Sequence, residues 1–209
     1  GGGYSPLYYV RSKLVEEGDG TFTLHEPDGG ARRFASTGRV TAIRDAFGHE
    51  ATVSYSGTEV DEVSVGDGTD TAVYAYAWSD GLVRSVTFKL NGGDVRRVVY
   101  GYYAGDAAGS NLKSAVIERW TGSAWEEVET KYFRYHDVES VGDNQGLLWL
   151  VLEDAAYRQA LYGLDVTGLD GVATGDLMAY ADRQYAYDAT DRVCQVKRRG
   201  GKYVTSYDY

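Results

Sequence analysis

Along most of the chain, large apolar positions alternate with small or polar ones at a period of two, the spacing of a strand whose successive side chains point to opposite faces. Ala72, Tyr74, Tyr76 and Trp78 fall on one face, and Thr71, Val73, Ala75 and Ala77 on the other. Val98, Tyr100 and Tyr102 repeat the alternation. A face of large aromatics therefore lies back to back with a face of small residues, and the aromatic face is expected to line an interior. Turn signals break these runs: Asp19-Gly20, Asp28-Gly29, Asp67-Gly68 and Asp170-Gly171 are all favoured hairpin pairs. The pattern predicts an all-β chain of repeated antiparallel strands.

The period changes between Gly142 and Asp182, where it moves toward the helical one. Asp154 is the expected N-cap of a helix over Ala155 to Tyr162, with Gly163 as its stop, and Thr174 the expected cap of a second helix over Asp176 to Ala181. Residues 143–182 thus read as a helical insertion between repeat units, inside a repeat region that takes in residues 1–209.

Apolar pairs three residues apart recur along the chain: Val40 with Ile43, Val60 with Val63, Val83 with Val86, Leu112 with Ala115, and Val193 with Val196. Each follows an aromatic residue and a turn. The aromatic partners are Phe34, Tyr55, Tyr76, Tyr102 or Tyr103, and Tyr187. The first four pairs step by 20, 23 and 29 residues, a self-similarity that marks a repeat architecture.

Two copies are fuller than the rest. Tyr187, Asp188, Arg192 and Val193 spell Y-D-x-x-x-R-V, while Phe34, Gly38, Arg39 and Val40 spell F-x-x-x-G-R-V and are followed by D-x-x-G at Asp45 and Gly48. These stretches resemble the YD repeat of RHS proteins, whose usual form is Y-D-x-x-G-R-V. The likeness covers residues 20–140 and 183–209 and leaves the insertion outside. It departs from the pattern at Asp191, which stands where the turn glycine belongs, and at the Tyr55 and Tyr76 copies, which lack the arginine. The resemblance implies a curved sheet wound into a spiral shell, as in polymorphic toxins, Tc toxin complexes and teneurin-like surface proteins. On that reading the chain is a non-enzymatic scaffold: a wall segment, extracellular or at the cell surface, of a shell that encloses or presents a polypeptide. Its partners would be neighbouring repeats of the same longer polypeptide and an encapsulated toxin domain. The Gly-Gly-Gly opening and the Ser-Tyr-Asp-Tyr close both read as cuts through a longer array. Each motif residue has a structural use: a ring with a hydroxyl to share, an aspartate for turn amides, a glycine for positive φ, and an arginine for an acidic neighbour.

Composition sharpens this picture. The 27 Gly and 19 Tyr against 2 Pro suit strands joined by glycine turns. Lys and Arg number 21 against 31 acidic residues, for a formal charge of -10, and the basic residues are scattered apart from the run Lys197, Arg198, Arg199. A phosphate-neutralising stripe is missing, so nucleic acid is not an expected partner. The longest apolar run, Leu147 to Leu152, falls far short of the roughly 20 residues that span a bilayer, so no membrane span is expected.

Chemistry is sparse. His25, His49 and His136 lack metal-ligand spacing, and D-V-T-G-L-D-G from Asp165 lacks the regular oxygen ligands and closing Glu of a calcium loop. The lone Cys194 can form no internal disulfide and has no base marked beside it. Neither Pro6 nor Pro27 follows an aspartate, so the D-P-x-G stretch of self-cleaving RHS proteins is missing. No catalytic residue, metal or cofactor is expected. The alternative reading rests on W-T-G-S-A-W, a hairpin offering Trp120 and Trp125 as a stacking platform for sugars. It would make the chain a cell-surface adhesion or carbohydrate-binding module.

Overall fold

The structure is a computed structural model, described over residues 3–4, 11–66, 69–104, 111–136 and 146–209. Among the described residues it is mostly antiparallel β-sheet with two short helices. The chain divides into two compact units, Gly1–Arg97 and Val98–Tyr209.

The first unit is a meander of β1 (Gly3–Tyr4), β2 (Lys13–Glu16), β3 (Phe22–His25), β4 (Ala31–Phe34), β5 (Val40–Arg44), β6 (Glu50–Ser56), β7 (Glu59–Gly66), β8 (Thr71–Ser79) and β9 (Leu82–Leu90). Each pairs antiparallel with its chain neighbours. Opposed residues share a face, so register sorts the side chains. One face carries the row Val53, Val63, Tyr74, Phe88, and the opposite face the row Thr52, Ser64, Val73, Lys89. The turns that join the short strands are copies of one design. Glu17, Glu26, Ala35 and Asp45 each donate their N–H to the carbonyl four residues on and accept from the N–H three residues on, where Gly20, Gly29, Gly38 and Gly48 supply positive φ. Asp19-Gly20 and Asp28-Gly29 both lie in these turns, while Asp67-Gly68 falls outside the described residues.

Among the described residues of this unit, Thr23, Gly30, Ala31 and Ala42 are the buried ones. The aromatic face does not line a closed interior there: Tyr74 is 42% exposed, and Ile43 and Leu90 are each 45% exposed. Tyr76 and Trp78 are half-buried. The reason is that no second layer of described residues within the unit covers this face.

β10 (Gly93–Tyr102) runs through the division between the units. The second unit continues with β11 (Leu112–Trp120), β12 (Trp125–Tyr135), β13 (Leu148–Leu152), α1 (Asp154–Leu164), α2 (Thr174–Leu177), β14 (Arg183–Tyr187), β15 (Val193–Arg198) and β16 (Tyr203–Ser206). The helices supply what the first unit lacks, an enclosed core. Leu150 and Leu152 of β13, Tyr132 of β12, Ala156 and Ala160 of α1, and Leu169, Leu177 and Ala181 form one buried cluster.

The region expected as a helical insertion over 143–182 therefore contains a strand. The run L-W-L-V-L is strand length, sits between β12 and β14, and is buried at Leu150, Val151 and Leu152. Residues 143–145 lie outside the described ones. Helix ends also differ from expectation. Asp154 is the first helical residue rather than the N-cap, because its carboxylate accepts from Thr130 N of β12 at 2.9 Å and from Arg158 Nε at 3.0 Å. Gly163 lies inside α1, and Asp165 ends the helix at φ 53°. A Cβ at Gly163 would meet the Tyr180 hydroxyl at 2.3 Å, so this glycine serves close packing. Thr174 begins α2 instead of capping it, and the helix ends at Leu177, whose carbonyl accepts from both Tyr180 N and Ala181 N. Asp170-Gly171 lies between the two helices and is no hairpin turn.

Candidate functional site

In each unit the repeat residues form aromatic rungs at the ends of hairpins. Phe34, Tyr55, Trp78, Tyr135 and Tyr187 each sit at the last or next-to-last position of a strand immediately after a register shift, opposite the first or second residue of the returning strand: Val40, Val60, Val83, Leu148 and Val193. A bulge re-aims the side chain that follows it. Here it turns the Tyr55, Trp78 and Tyr187 rings toward the preceding hairpin. Within the first unit, Tyr55 donates its hydroxyl to Val40 O at 2.9 Å, and Trp78 donates its indole N–H to Val60 O at 2.8 Å. Within the second, Tyr187 donates to Leu148 O at 2.8 Å and Tyr209 to Val193 O at 3.1 Å. The acceptor in every case is the residue paired with the previous rung. Tyr103 differs, donating forward to Phe133 O at 2.8 Å and lying edge-on to Tyr135.

In the β8–β9 hairpin the residue that follows the bulge is Trp78, two positions beyond Tyr76. Tyr76 opposes Val86 in mid-strand, whereas Trp78 opposes Val83 after the bulge. The spacing carried the signal, since Trp78 precedes Val83 by the same five residues that separate Tyr55 from Val60.

Arg39 and Arg192 are the cations of the rungs. The Arg39 guanidinium lies 5.2 Å from the Tyr55 ring and donates to Gly57 O, and that of Arg192 lies 4.6 Å from the Tyr209 ring. Each thus covers the ring whose hydroxyl bonds the next residue's carbonyl, Val40 O or Val193 O, in the geometry of a cation–π contact. In the hairpins of Tyr55 and Trp78, Glu59 and Leu82 precede Val60 and Val83, the place that Arg39 and Arg192 hold before Val40 and Val193. Asp188 and Asp45 hold the motif's turns. Asp188 accepts from Thr190 N and Arg192 N and pairs with Arg192 Nε at 2.8 Å; Asp45 accepts from Phe47 N and His49 N and pairs with the His49 ring at 2.8 Å. These bonds keep both carboxyls below the usual carboxylate range, Asp188 chiefly through the Arg192 amide and Asp45 chiefly through the His49 ring. Asp191 takes the place of Gly48 and Gly38 with φ 61°, so the departure from glycine keeps the turn.

Trp120 and Trp125 face each other across the end of the β11–β12 hairpin, with ring centroids 5.2 Å apart. Both are half-buried, and the turn between them is closed by Thr121, whose hydroxyl and N–H donate to Ala124 O. Such a cross-strand aromatic pair stabilises its own hairpin.

Other candidate residues are absorbed into structure. His136 stacks on Trp149 at 4.6 Å and lies edge-on to Tyr187. Cys194 is half-buried in β15, its carbonyl accepting from Tyr207 N. In the segment from Asp165, the carbonyls of Leu169, Asp170 and Val172 all accept from one Arg134 nitrogen, and the Asp170 carboxylate accepts from Lys113 Nζ at 2.7 Å and from the Tyr132 hydroxyl at 3.2 Å. The cation these oxygens face is a guanidinium. Burial pushes the Tyr132 phenol far above its ordinary range, so it stays protonated as a donor to Asp170. Among the described residues no group of three or more His, Cys, Asp or Glu is placed to hold a metal, and no helix is long and apolar enough to cross a membrane.

No family model matches the chain, and no curated protein matches its sequence. Among solved structures, the chain is similar to a porin-like protein from Bacteroides uniformis, at 12% identity over 94% of this chain and 91% of that one, with a TM-score of 0.32. At that score the likeness carries no argument about function.

Proposed function

We propose that this chain is a non-enzymatic scaffold, a wall segment of an RHS-type β shell that stands outside the cell or at its surface and encloses or presents a polypeptide. One observation supports the reading most: the motif residues are used to join one hairpin to the next. Tyr55 and Trp78 in one unit, and Tyr187 and Tyr209 in the other, bond the carbonyl opposite the preceding rung. A motif used this way specifies an extendable array, because each rung both donates backward and presents an acceptor forward. Neighbouring repeats of the same polypeptide are the partners this implies, with a toxin domain as the enclosed cargo. The test is limited proteolysis of the intact polypeptide that carries this segment. Protection of a non-repeat fragment that co-purifies with the repeats is expected; digestion of every non-repeat fragment at the rate of a free chain contradicts the reading.

A second reading, a carbohydrate-binding module, is favoured by the Trp120–Trp125 pair at the tip of its hairpin. It predicts saturable glycan binding on an array that is lost in Trp120→Phe, a change that keeps an aromatic partner for Trp125. The scaffold reading predicts none.

A further inference from the structure

The basic run at 197–199 is left unused by the rungs, and two of its residues, Arg198 and Arg199, line a surface cleft of about 790 Å3 in the second unit. The cleft is formed by the row Arg183, Arg198, Tyr203 across β14, β15 and β16, by the turn bearing Arg199 and Lys202, and by Glu153 and Asp182. Four basic side chains thus meet two acidic ones on a chain whose formal charge is -10.

Both carboxylates are already committed. Glu153 pairs with Lys131 at 2.9 Å and with Arg183 at 3.5 Å, and Asp182 accepts from Glu153 N at 2.8 Å. Arg198, Arg199 and Lys202 have no ion-pair partner among the described residues. Arg198 is moreover the direct cross-strand partner of Arg183. Like charges directly opposite each other destabilise a sheet, and an oxyanion bridging them removes that cost.

The turn that carries the other two cations is clamped. Arg199 N donates to Asp182 O at 3.1 Å and Gly200 N to Ala181 O at 2.9 Å. A Cβ on Gly200 would stand 2.5 Å from Ala179 O, so glycine is required for this approach. Arg199 itself adopts φ 52° and sets its guanidinium 5.7 Å from the Tyr203 ring. The basic groups are therefore held on a fixed frame and not on a free loop, which lowers the ordering cost of binding.

We propose that this cleft binds a polyanionic ligand through its oxyanion groups, carboxylate or phosphate, one bridging Arg183 and Arg198 and another meeting Arg199 and Lys202. The inference goes beyond the scaffold reading and stands without it. The test is calorimetric titration of the protein with citrate and with pyrophosphate at low ionic strength. Saturable binding is expected for at least one probe, weakening as salt rises, and weakened about tenfold by Arg198→Gln and by Lys202→Gln for the loss of one charge-assisted contact. Arg119→Gln, on the β11–β12 hairpin where Arg119 pairs with Glu126 and does not line the cleft, is expected to bind as wild type does. Tighter binding of citrate identifies a carboxylate ligand, and of pyrophosphate a phosphate one. Absence of saturable binding by both probes, or equal affinity in wild type and in the exposed turn variant Lys202→Gln, overturns the proposal.

Discussion

Tyr55 contributes to the fold in two separable ways, as a ring beneath Arg39 and as a hydroxyl donor to Val40 O. Tyr55→Phe keeps the first and removes the second, so a loss of about 1 kcal/mol in urea unfolding is expected, with the ring contacts intact. Trp78 performs the same task with an indole N–H, so the donor at such a position need not be a tyrosine. The choice of Trp78 over Tyr76 was open to a reader of the sequence who measured spacing to the valine, while the bulge that aims the ring was not. Gly163 shows the opposite case. Its position near a helix end invites the reading of a stop signal, yet its role depends on Tyr180, a residue 17 positions away that packs against it only in the folded chain. Gly163→Ala is expected to destabilise by about 1–3 kcal/mol through overpacking, with part of the loss recovered in Gly163→Ala combined with Tyr180→Phe.

At the scale of elements, the turns account for much of what pattern alone revealed. Gly20, Gly29, Gly38, Gly48 and Asp191 all occupy one position of one turn type, with positive φ. Replacing Asp191 by Gly is expected to leave stability unchanged or raise it by up to about 1 kcal/mol, whereas Gly48→Val costs about 1–2 kcal/mol in thermal unfolding. The Asp188 turn also sets an acid dependence. Because its folded carboxyl titrates below the unfolded one, the stability it contributes is complete above the unfolded pKa of about 4 and is lost as the pH falls toward the folded value. Urea midpoints at pH 7 and pH 3 should therefore lie closer together in Asp188→Asn than in wild type. The helical stretch was legible in its existence and less so in its limits. Asp154 has the composition of a cap but is recruited by Thr130 of β12, and β13 falls inside the stretch expected to be helical because an all-apolar run carries no period to separate strand from helix.

For the molecule as a whole, the two units are stabilised differently, and this was the least legible part. Period-two alternation predicts which residues share a face but not whether another layer covers that face. In the first unit Thr23, Gly30, Ala31 and Ala42 are the buried residues among those described, while in the second the helices close over Leu150, Leu152 and Tyr132. Leu150→Ala is expected to cost about 2–5 kcal/mol by cavity formation. Hydrogen exchange should show β13 amides losing protection in that variant, and β7 and β8 amides of the wild type exchanging faster than those of β13. The basic cleft follows the same logic: Lys197, Arg198 and Arg199 are visible as a run, but the meeting of Arg198 and Arg199 with Arg183 and Lys202 depends on strand register and on a turn clamped by Ala181 and Asp182.

The central claim is that this chain is a segment of an extendable β wall joined rung to rung. Electron cryomicroscopy of the intact polypeptide that carries it tests this most directly. The account predicts that sheet continues beyond Tyr209 with a further aromatic rung, and that the wall surrounds protein density. A sheet that ends at β16 as an isolated domain, with no enclosed density, would contradict it.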